Sequence, residues 1–386
     1  MALIIAEKMR IGILTLPLAN NYGGILQAYA LQTVLQNQGH TVVILKREND
    51  YKCPSLYRKI RTCIVSFIKR ILGKQQAKPV LSIENQAKVN NYTQYFINHY
   101  LNMTQPLYST NSIKKESLKL GIEAFVVGSD QVWRPEYSPL ISNFYLDFDK
   151  RGCVKIAYAA SFGVDNWEYS NEQTLICSKC AQKFRAISVR EKTGIDLCKS
   201  NLHVDAKLVL DPTLLLDKED YIKLVKNEKD ECSKGDFFCY ILDNNYKKSQ
   251  IEKVISQRLG LKPFHTMPSL KATDFNCEEN LEACTYPPVT AWLRSFMDAK
   301  LVLTDSFHGC VFSIIFNKNF WIIGNKSRGL ARFHSLLELF GLEDRLVDES
   351  KLEKIDWDKT IDWDKVNSKK NELRHISLDF LKKNLE

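Results

Sequence analysis

Three side chains able to do acid–base or anion chemistry crowd into Leu301-Val-Leu-Thr-Asp-Ser-Phe-His-Gly-Cys310. The apolar run ends at Thr304 as a buried strand would, which leaves Asp305, Ser306 and His308 in the turn before a helix expected from Gly309 to Phe316. The N-terminus of a helix offers unpaired N–H groups and a partial positive charge, which suits a phosphate or a carboxylate. A histidine there can hold an anion or deliver a proton near neutral pH. The same residues also read as a capping cluster with a packed histidine, and the stretch alone does not separate the two.

A second candidate is Arg190, in Ile187-Ser-Val-Arg-Glu191. An arginine at the end of a buried strand needs an anion or a carboxylate for its guanidinium; a surface pair with Glu191 or an aspartate is the plainer reading. Lys326, Arg328 and Arg332 follow the last strand of the second half and add cations near the same strand ends. Asp147-Phe-Asp149, Asp356-Trp-Asp358 and Asp362-Trp-Asp364 each have a D-x-D spacing, but the first reads as a strand end and the repeated pair as helix N-caps. A hard cation needs more converging oxygens than these supply, so no metal is expected. Gly23-Gly24 lacks the G-x-G-x-x-G spacing of a dinucleotide site. Cys177 and Cys180 read as two small apolar residues on one helix face.

These residues must be held by an alternating α/β framework. Ile11–Leu45 contains no Asp, Glu, Lys or Arg and reads as strand, polar loop at Asn20–Gly24, helix and strand. Ala28, Leu31, Val34 and Leu35 give that helix one apolar stripe. Strands apolar throughout belong to a parallel sheet covered on both faces. Further buried strands are expected at Ala124–Val127, Lys155–Ala160, Ala186–Val189 and Leu208–Leu210. Their ends carry Gly128-Ser-Asp130, Ser161-Phe-Gly163, Arg190-Glu191 and Asp211-Pro-Thr213. Ligands bind beyond the carboxyl ends of such strands, so these clusters should line one crevice. Asp217–Gly235 is charged and reads as a linker. A second alternating set runs from Phe237 to Ile323, and a closing helix reaches about Leu385.

The chain has 386 residues, 45% hydrophobic and 26% charged, a profile of globular domains rather than of a disordered chain. No apolar run is long enough to span a membrane, no secretory leader is evident, and eleven scattered cysteines fit reduced thiols in the cytoplasm. The net charge is +9, yet Tyr51–Ile83 alone holds eight basic residues and no acid. No nucleic-acid module is recognisable. Plotted as a helix, residues 56–72 place Leu56, Ile60, Cys63, Ile64, Phe67 and Ile71 on one face, with Lys59, Arg61 and Arg70 along its borders and Arg58 and Lys69 opposite. A helix with that pattern can lie in an anionic membrane interface, although it can equally pack on the sheet.

Asn21-Tyr-Gly-Gly-Ile-Leu-Gln27, Gly128-Ser-Asp-Gln-Val-Trp133, Tyr158-Ala-Ala-Ser-Phe-Gly163, Ser188-Val-Arg-Glu191, Asp211-Pro-Thr213 and Thr304-Asp-Ser-Phe-His-Gly309 occur in order. Taken as an ordered set from about Ile11 to Arg345, they resemble the polysaccharide pyruvyl transferase family. The resemblance implies a GT-B-like α/β fold, two doubly wound Rossmann-like domains facing a central cleft. The domains would be 1–216 on the acceptor side, with a basic amphipathic insertion at about 51–110, and 217–345 on the donor side; 346–386 would be a tail and closing helix. It also implies phosphoenolpyruvate as donor, no cofactor, and donor contacts from Arg190 and the histidine motif. Many members carry Arg-Leu-His where this chain has Ser306-Phe307-His308, so Lys326, Arg328 or Arg332 is expected to stand in for the arginine.

On that basis His308 is expected as general acid or phosphate partner, Arg190 as anion clamp and Asp130 as base or hydroxyl orienter, with Ser306 on the donor side and Asn21 and Ser129 on the acceptor side. The acceptor would be a sugar of a lipid-linked capsular or exopolysaccharide precursor, galactose bridged at O4 and O6 being the first choice. Two rival classes are a GT-B glycosyltransferase using a nucleotide sugar and a non-catalytic scaffold in glycan assembly.

Overall fold

A computed structural model describes residues 8–49, 81–270, 279–324, 329–347 and 355–386. The amphipathic segment 56–72, Lys326 and Arg328 lie outside the described residues.

The first half is a six-stranded, all-parallel sheet of β1 (Arg10–Leu14), β2 (Thr41–Ile44), β3 (Ala124–Val127), β4 (Val154–Ala160), β5 (Ala186–Val189) and β6 (Lys207–Leu208), in the order β2-β1-β3-β4-β5-β6. Helix α1 (Tyr22–Asn37) joins β1 to β2, and α2 (Asn91–Tyr100) follows the segment outside the described residues. The apolar strands are buried on both faces: all four residues of β3 are, and so are six of the seven in β4.

The second half is a five-stranded parallel sheet. It comprises β7 (Phe237–Tyr240), β8 (Pro263–Phe264), β9 (Leu301–Thr304), β10 (Asn319–Ile323) and β11 (Leu346–Val347), ordered β11-β10-β9-β7-β8. Its helices include α3 (Lys218–Glu228), α4 (Tyr246–Leu259), α5 (Val289–Asp298), α6 (Phe307–Ile315) and α7 (Ala331–Phe340). Helix α8 (Trp363–Leu385) then returns to the first half, where Ser377 Oγ accepts from Leu210 N at 3.0 Å and Phe380 meets Tyr158.

Three expectations need correction. The stretch Asp217–Gly235 is not a bare linker, because α3 occupies Lys218–Glu228. Its signal is short: Tyr221, Leu224 and Val225 at i, i+3 and i+4 are buried, and Asp217 and Asp220 cap its start. The strand expected at Leu208–Leu210 ends at Leu208, since the Leu210 amide is taken by Ser377. Cys284 is disulfide-bonded, against the expectation of thiols throughout, while Cys177 and Cys180 are both free on one helix.

Two contacts lock the halves together near their strand ends. The Tyr22 hydroxyl donates to Pro287 O at 2.8 Å, and its ring stacks on Trp292 at 5.5 Å. On the other side Lys192 N donates to Ser335 Oγ at 2.9 Å.

Candidate active site

The carboxyl ends of the two sheets face one cavity of about 230 Å³. Asn20, Asn21, Asp130 and Gln131 line it from the first half; Ser306, Phe307, His308 and Arg332 are among its walls in the second.

Two helices begin at this cavity. Asn21 caps α1, its Oδ1 accepting from Gly24 N at 3.1 Å, and Ser306 caps α6, its Oγ accepting from Gly309 N at 3.4 Å. The cap at Ser306 starts α6 at Phe307, two residues earlier than expected, so His308 sits in the first turn rather than in the preceding loop. Asp305 is not free for chemistry: it accepts from Leu242 N, Asp243 N and Lys248 Nζ, pinning β9 to the loop before α4.

His308 is 6% exposed, and its ring lies against Gly23 of the first half. A Cβ at Gly23 would come within 2.0 Å of His308 Nδ1, so only glycine admits the ring there. His308 Nε2 has no hydrogen-bond partner and stands 3.7 Å from Asp211 Oδ2, an ion-pair distance beyond hydrogen-bond reach.

Behind the cavity wall lies a buried charge cluster. Arg190 donates from Nη1 to Asp211 Oδ2 at 2.8 Å and from Nη2 to Asp130 Oδ1 at 2.7 Å. Asp211 also accepts from Thr213 N, Thr213 Oγ1 and Ser129 Oγ. Burial pushes the Asp211 carboxyl up, but His308, Arg190 and Thr213 outweigh it and hold the group below the ordinary aspartate range. Asp130 follows the same pattern: burial raises it, and Arg190, His308 and Arg332 bring it down. Its backbone is left-handed, with φ 71°, a conformation aspartate tolerates. Glu191 differs, because burial keeps its carboxyl raised although it accepts from Phe162 N and Gly163 N.

Phe307 is touched by both guanidiniums, Arg190 at 4.4 Å and Arg332 at 5.6 Å from its ring centre. Arg332 projects from α7 onto the cavity wall. Burial and the nearby Arg190 charge pull its guanidinium down to about 10, so its cation is the less stabilised of the two.

Most of the expected residues are brought together. Asn21, Asp130, Ser306, His308 and Arg332 share the cavity. Arg190 is not among the residues that line it; both its Nη groups are bonded to carboxylates behind the wall. Ser129 is fully buried, its Oγ turned inward to Ala159 O and Asp211. Sequence reasoning passed over Phe307 and Gly23 as site residues; for Gly23 the signal was an unexplained Gly-Gly pair. Among the described residues no group of three or more His, Cys, Asp or Glu could hold a metal ion. Asp149 of the first D-x-D pairs with Lys155 and Arg151, and Asp362 caps α8.

Two doubly wound α/β halves with a crevice at their strand ends define a GT-B-like protein. The N-terminal domain of Candida albicans trehalose-6-phosphate phosphatase is similar at 10% identity and a TM-score of 0.50, covering 98% of this chain and 97% of its own. UDP-GlcNAc 2-epimerase of Methanocaldococcus jannaschii is 12% identical with a TM-score of 0.47, over 95% and 99% of the two chains. Arabidopsis thaliana UGT89C1, solved with quercetin, is 8% identical with a TM-score of 0.49, over 98% and 100%. No curated protein matches the chain. The polysaccharide pyruvyl transferase family model matches residues 21–327, and the chain belongs to that family.

Proposed function

We propose that this chain transfers the three-carbon unit of phosphoenolpyruvate to two hydroxyls of a sugar in a polysaccharide precursor, forming a pyruvate ketal and releasing phosphate. The observation that carries this reading is the division of groups across one cavity: Asp130 on the first half, His308, Arg332 and the start of α6 on the second, where the Asp305 carboxylate is taken up by two amides and Lys248. Phosphoenolpyruvate carries a phosphate and a carboxylate, and needs at least two cationic or N–H-rich contacts. Arg332 and the first turn of α6 supply them. Arg332 takes the place expected for the arginine that Ser306 lacks.

The steps balance without a metal or redox partner. His308, as imidazolium, gives a proton to the methylene carbon, and the adjacent carbon becomes oxocarbenium-like. A sugar hydroxyl adds there, losing its proton to Asp130 or to solvent. The C–O bond to phosphate breaks, and a second hydroxyl closes the ketal as its own proton leaves. Asp211, held ionised 3.7 Å from His308 Nε2, sets a fixed negative charge beside the ring. Arg190 acts as a positioning residue, holding Asp130 and Asp211 in place. Asn21 orients the acceptor from the same half of the cavity as Asp130.

The acceptor in this reading is a lipid-linked glycan met at the inner face of the cell membrane, with the cationic segment 56–72 as peripheral contact, and galactose bridged at O4 and O6 is its first candidate. Among the described residues no helix is long and apolar enough to cross a membrane. The test is phosphate release from phosphoenolpyruvate in the presence of galactose-terminated acceptors. One phosphate released per ketal formed supports the proposal; turnover of a nucleotide sugar with phosphoenolpyruvate untouched would overturn it.

A further inference from the structure

A second cavity, of about 430 Å³, opens beside the first. Its walls come from α2 (Tyr92, Tyr95, Phe96), the end of α3 and the residues after it (Glu228, Asp230), and the start of α5 (Pro288, Thr290). Tyr286 lines the first cavity and Pro288 the second, and Pro287 between them is fixed by the Tyr22 hydroxyl. The two cavities therefore lie at either end of one three-residue segment.

The chemistry of the second cavity is unlike that of the first. Tyr92, Tyr95 and Phe96 fall at i, i+3 and i+4 on α2 and so share a face. Tyr92 is 46% exposed and Tyr95 52%, against 2% for Phe96, so both offer ring surface beyond the contact in which Tyr95 stacks on His99. No lysine or arginine is among the described lining residues, so the cavity does not suit an anion such as phosphoenolpyruvate. Hydrogen-bond acceptors sit on one wall. Glu228 has a second oxygen beyond the one that takes the Tyr100 hydroxyl at 2.5 Å, and Asp230 Oδ2 is buried with no hydrogen-bond partner. The other wall is the start of α5, whose N-cap Pro288 gives no side-chain cap to the first-turn amides. A ligand that fits all three walls has flat apolar faces, hydroxyls that donate to carboxylates, and oxygens that accept from amides. A neutral sugar ring is such a ligand.

We propose that this cavity is a subsite for further neutral sugar units of the acceptor glycan, reached across Tyr286–Pro288 from the cavity where the ketal forms. It deepens the pyruvyl-transfer reading and rests on it for the identity of the occupant. The aromatic faces carry the affinity, and the carboxylates and α5 amides set the orientation. Acceptors long enough to bridge both cavities then bind more tightly than a single sugar.

The experiment measures binding, without donor, of neutral galacto-oligosaccharides of one to four units by calorimetry, for the wild type, Tyr95→Ala and Tyr92→Ala/Tyr95→Ala. Both tyrosines are exposed, so the variants should fold; their thermal unfolding is the control. Affinity should rise with length in the wild type. Tyr95→Ala should weaken the tetrasaccharide about tenfold, the equivalent of ~1.4 kcal/mol for a lost aromatic face, and leave the monosaccharide unchanged. Equal affinity at all lengths, no tetrasaccharide binding, or an unaffected Tyr95→Ala overturns the subsite. So does choline, rather than the tetrasaccharide, binding in a tyrosine-dependent way, since a cation would also suit rings and carboxylates. Phosphate release from phosphoenolpyruvate, followed separately on a short acceptor, keeps the failures distinct: its loss sinks the pyruvyl-transfer reading, whereas its persistence with no length effect sinks only the subsite.

Discussion

Arg190 and Arg332 are both nearly inaccessible, both touch Phe307, and they are built for opposite ends. Arg190 stands at the end of β5 with a carboxylate on each Nη, and those charges raise its guanidinium above the ordinary value despite burial. Arg332 stands on α7 in the cavity wall, where burial and Arg190 pull it down to about 10. A buried arginine is thus no sign of a ligand by itself. What separates the two is place: Arg190 stands behind the cavity wall with a carboxylate on each Nη, whereas Arg332 lines the cavity itself. The first half closes its charge around Arg190, and the second presents its cations to the cavity.

The largest effect should come from breaking the closed side. Arg190→Met leaves Asp130 and Asp211 buried without their partner and should cost about 3–5 kcal/mol of stability, the scale for a broken buried pair, seen as a large fall in Tm. Arg332→Met should lower Tm less, because burial and the Arg190 charge already make its cation the less stabilised of the two. If the two variants lose stability equally, the contrast between them is gone.

Removing the proton donor comes next. His308→Ala should lower kcat by about 10²-fold or more with the fold intact, as for other positioned acid–base groups. Gly23→Ala tests the contact that fixes the ring: the added methyl must displace His308, and kcat should drop about tenfold or more while KM for phosphoenolpyruvate moves less. Normal turnover in Gly23→Ala would mean the ring position does not matter.

The smallest effect concerns pH. Asp130 and Asp211 have carboxyls held below the ordinary 3.8, so their stabilisation is complete above that value and is lost as pH falls through their folded values. Asp211→Asn should therefore lose less Tm than the wild type between about pH 5 and about pH 3. Glu191, raised by burial, runs the other way: its ionised form costs stability as pH rises through its folded value.

Much of this arrangement was legible in the chain. The uncharged run to Leu45 and the polar clusters closing each apolar strand predicted parallel sheets, and the clusters at Asp130, Arg190, Asp211 and His308 do meet. The direction of Arg190 was not legible, because a strand end gives a residue its place but not its partner, and two of the candidate partners lie 60 and 21 positions away. The fit of His308 against Gly23 was hidden for the same reason: it joins the two halves, and only the docking of one sheet's helices on the other shows why glycine stands there. Helix α3 escaped because two turns of charged residues mask three buried ones.

The most direct test of the division between the halves is calorimetric titration with phosphoenolpyruvate of the wild type, Arg332→Gln and Asp130→Asn, each checked for folding by its Tm. A donor anion held by the second half predicts that Arg332→Gln weakens binding by about tenfold or more, the loss of one charge-assisted contact, while Asp130→Asn binds the donor as well as the wild type and fails with the sugar acceptor. Unchanged donor affinity in Arg332→Gln, with donor binding lost in Asp130→Asn, would contradict it.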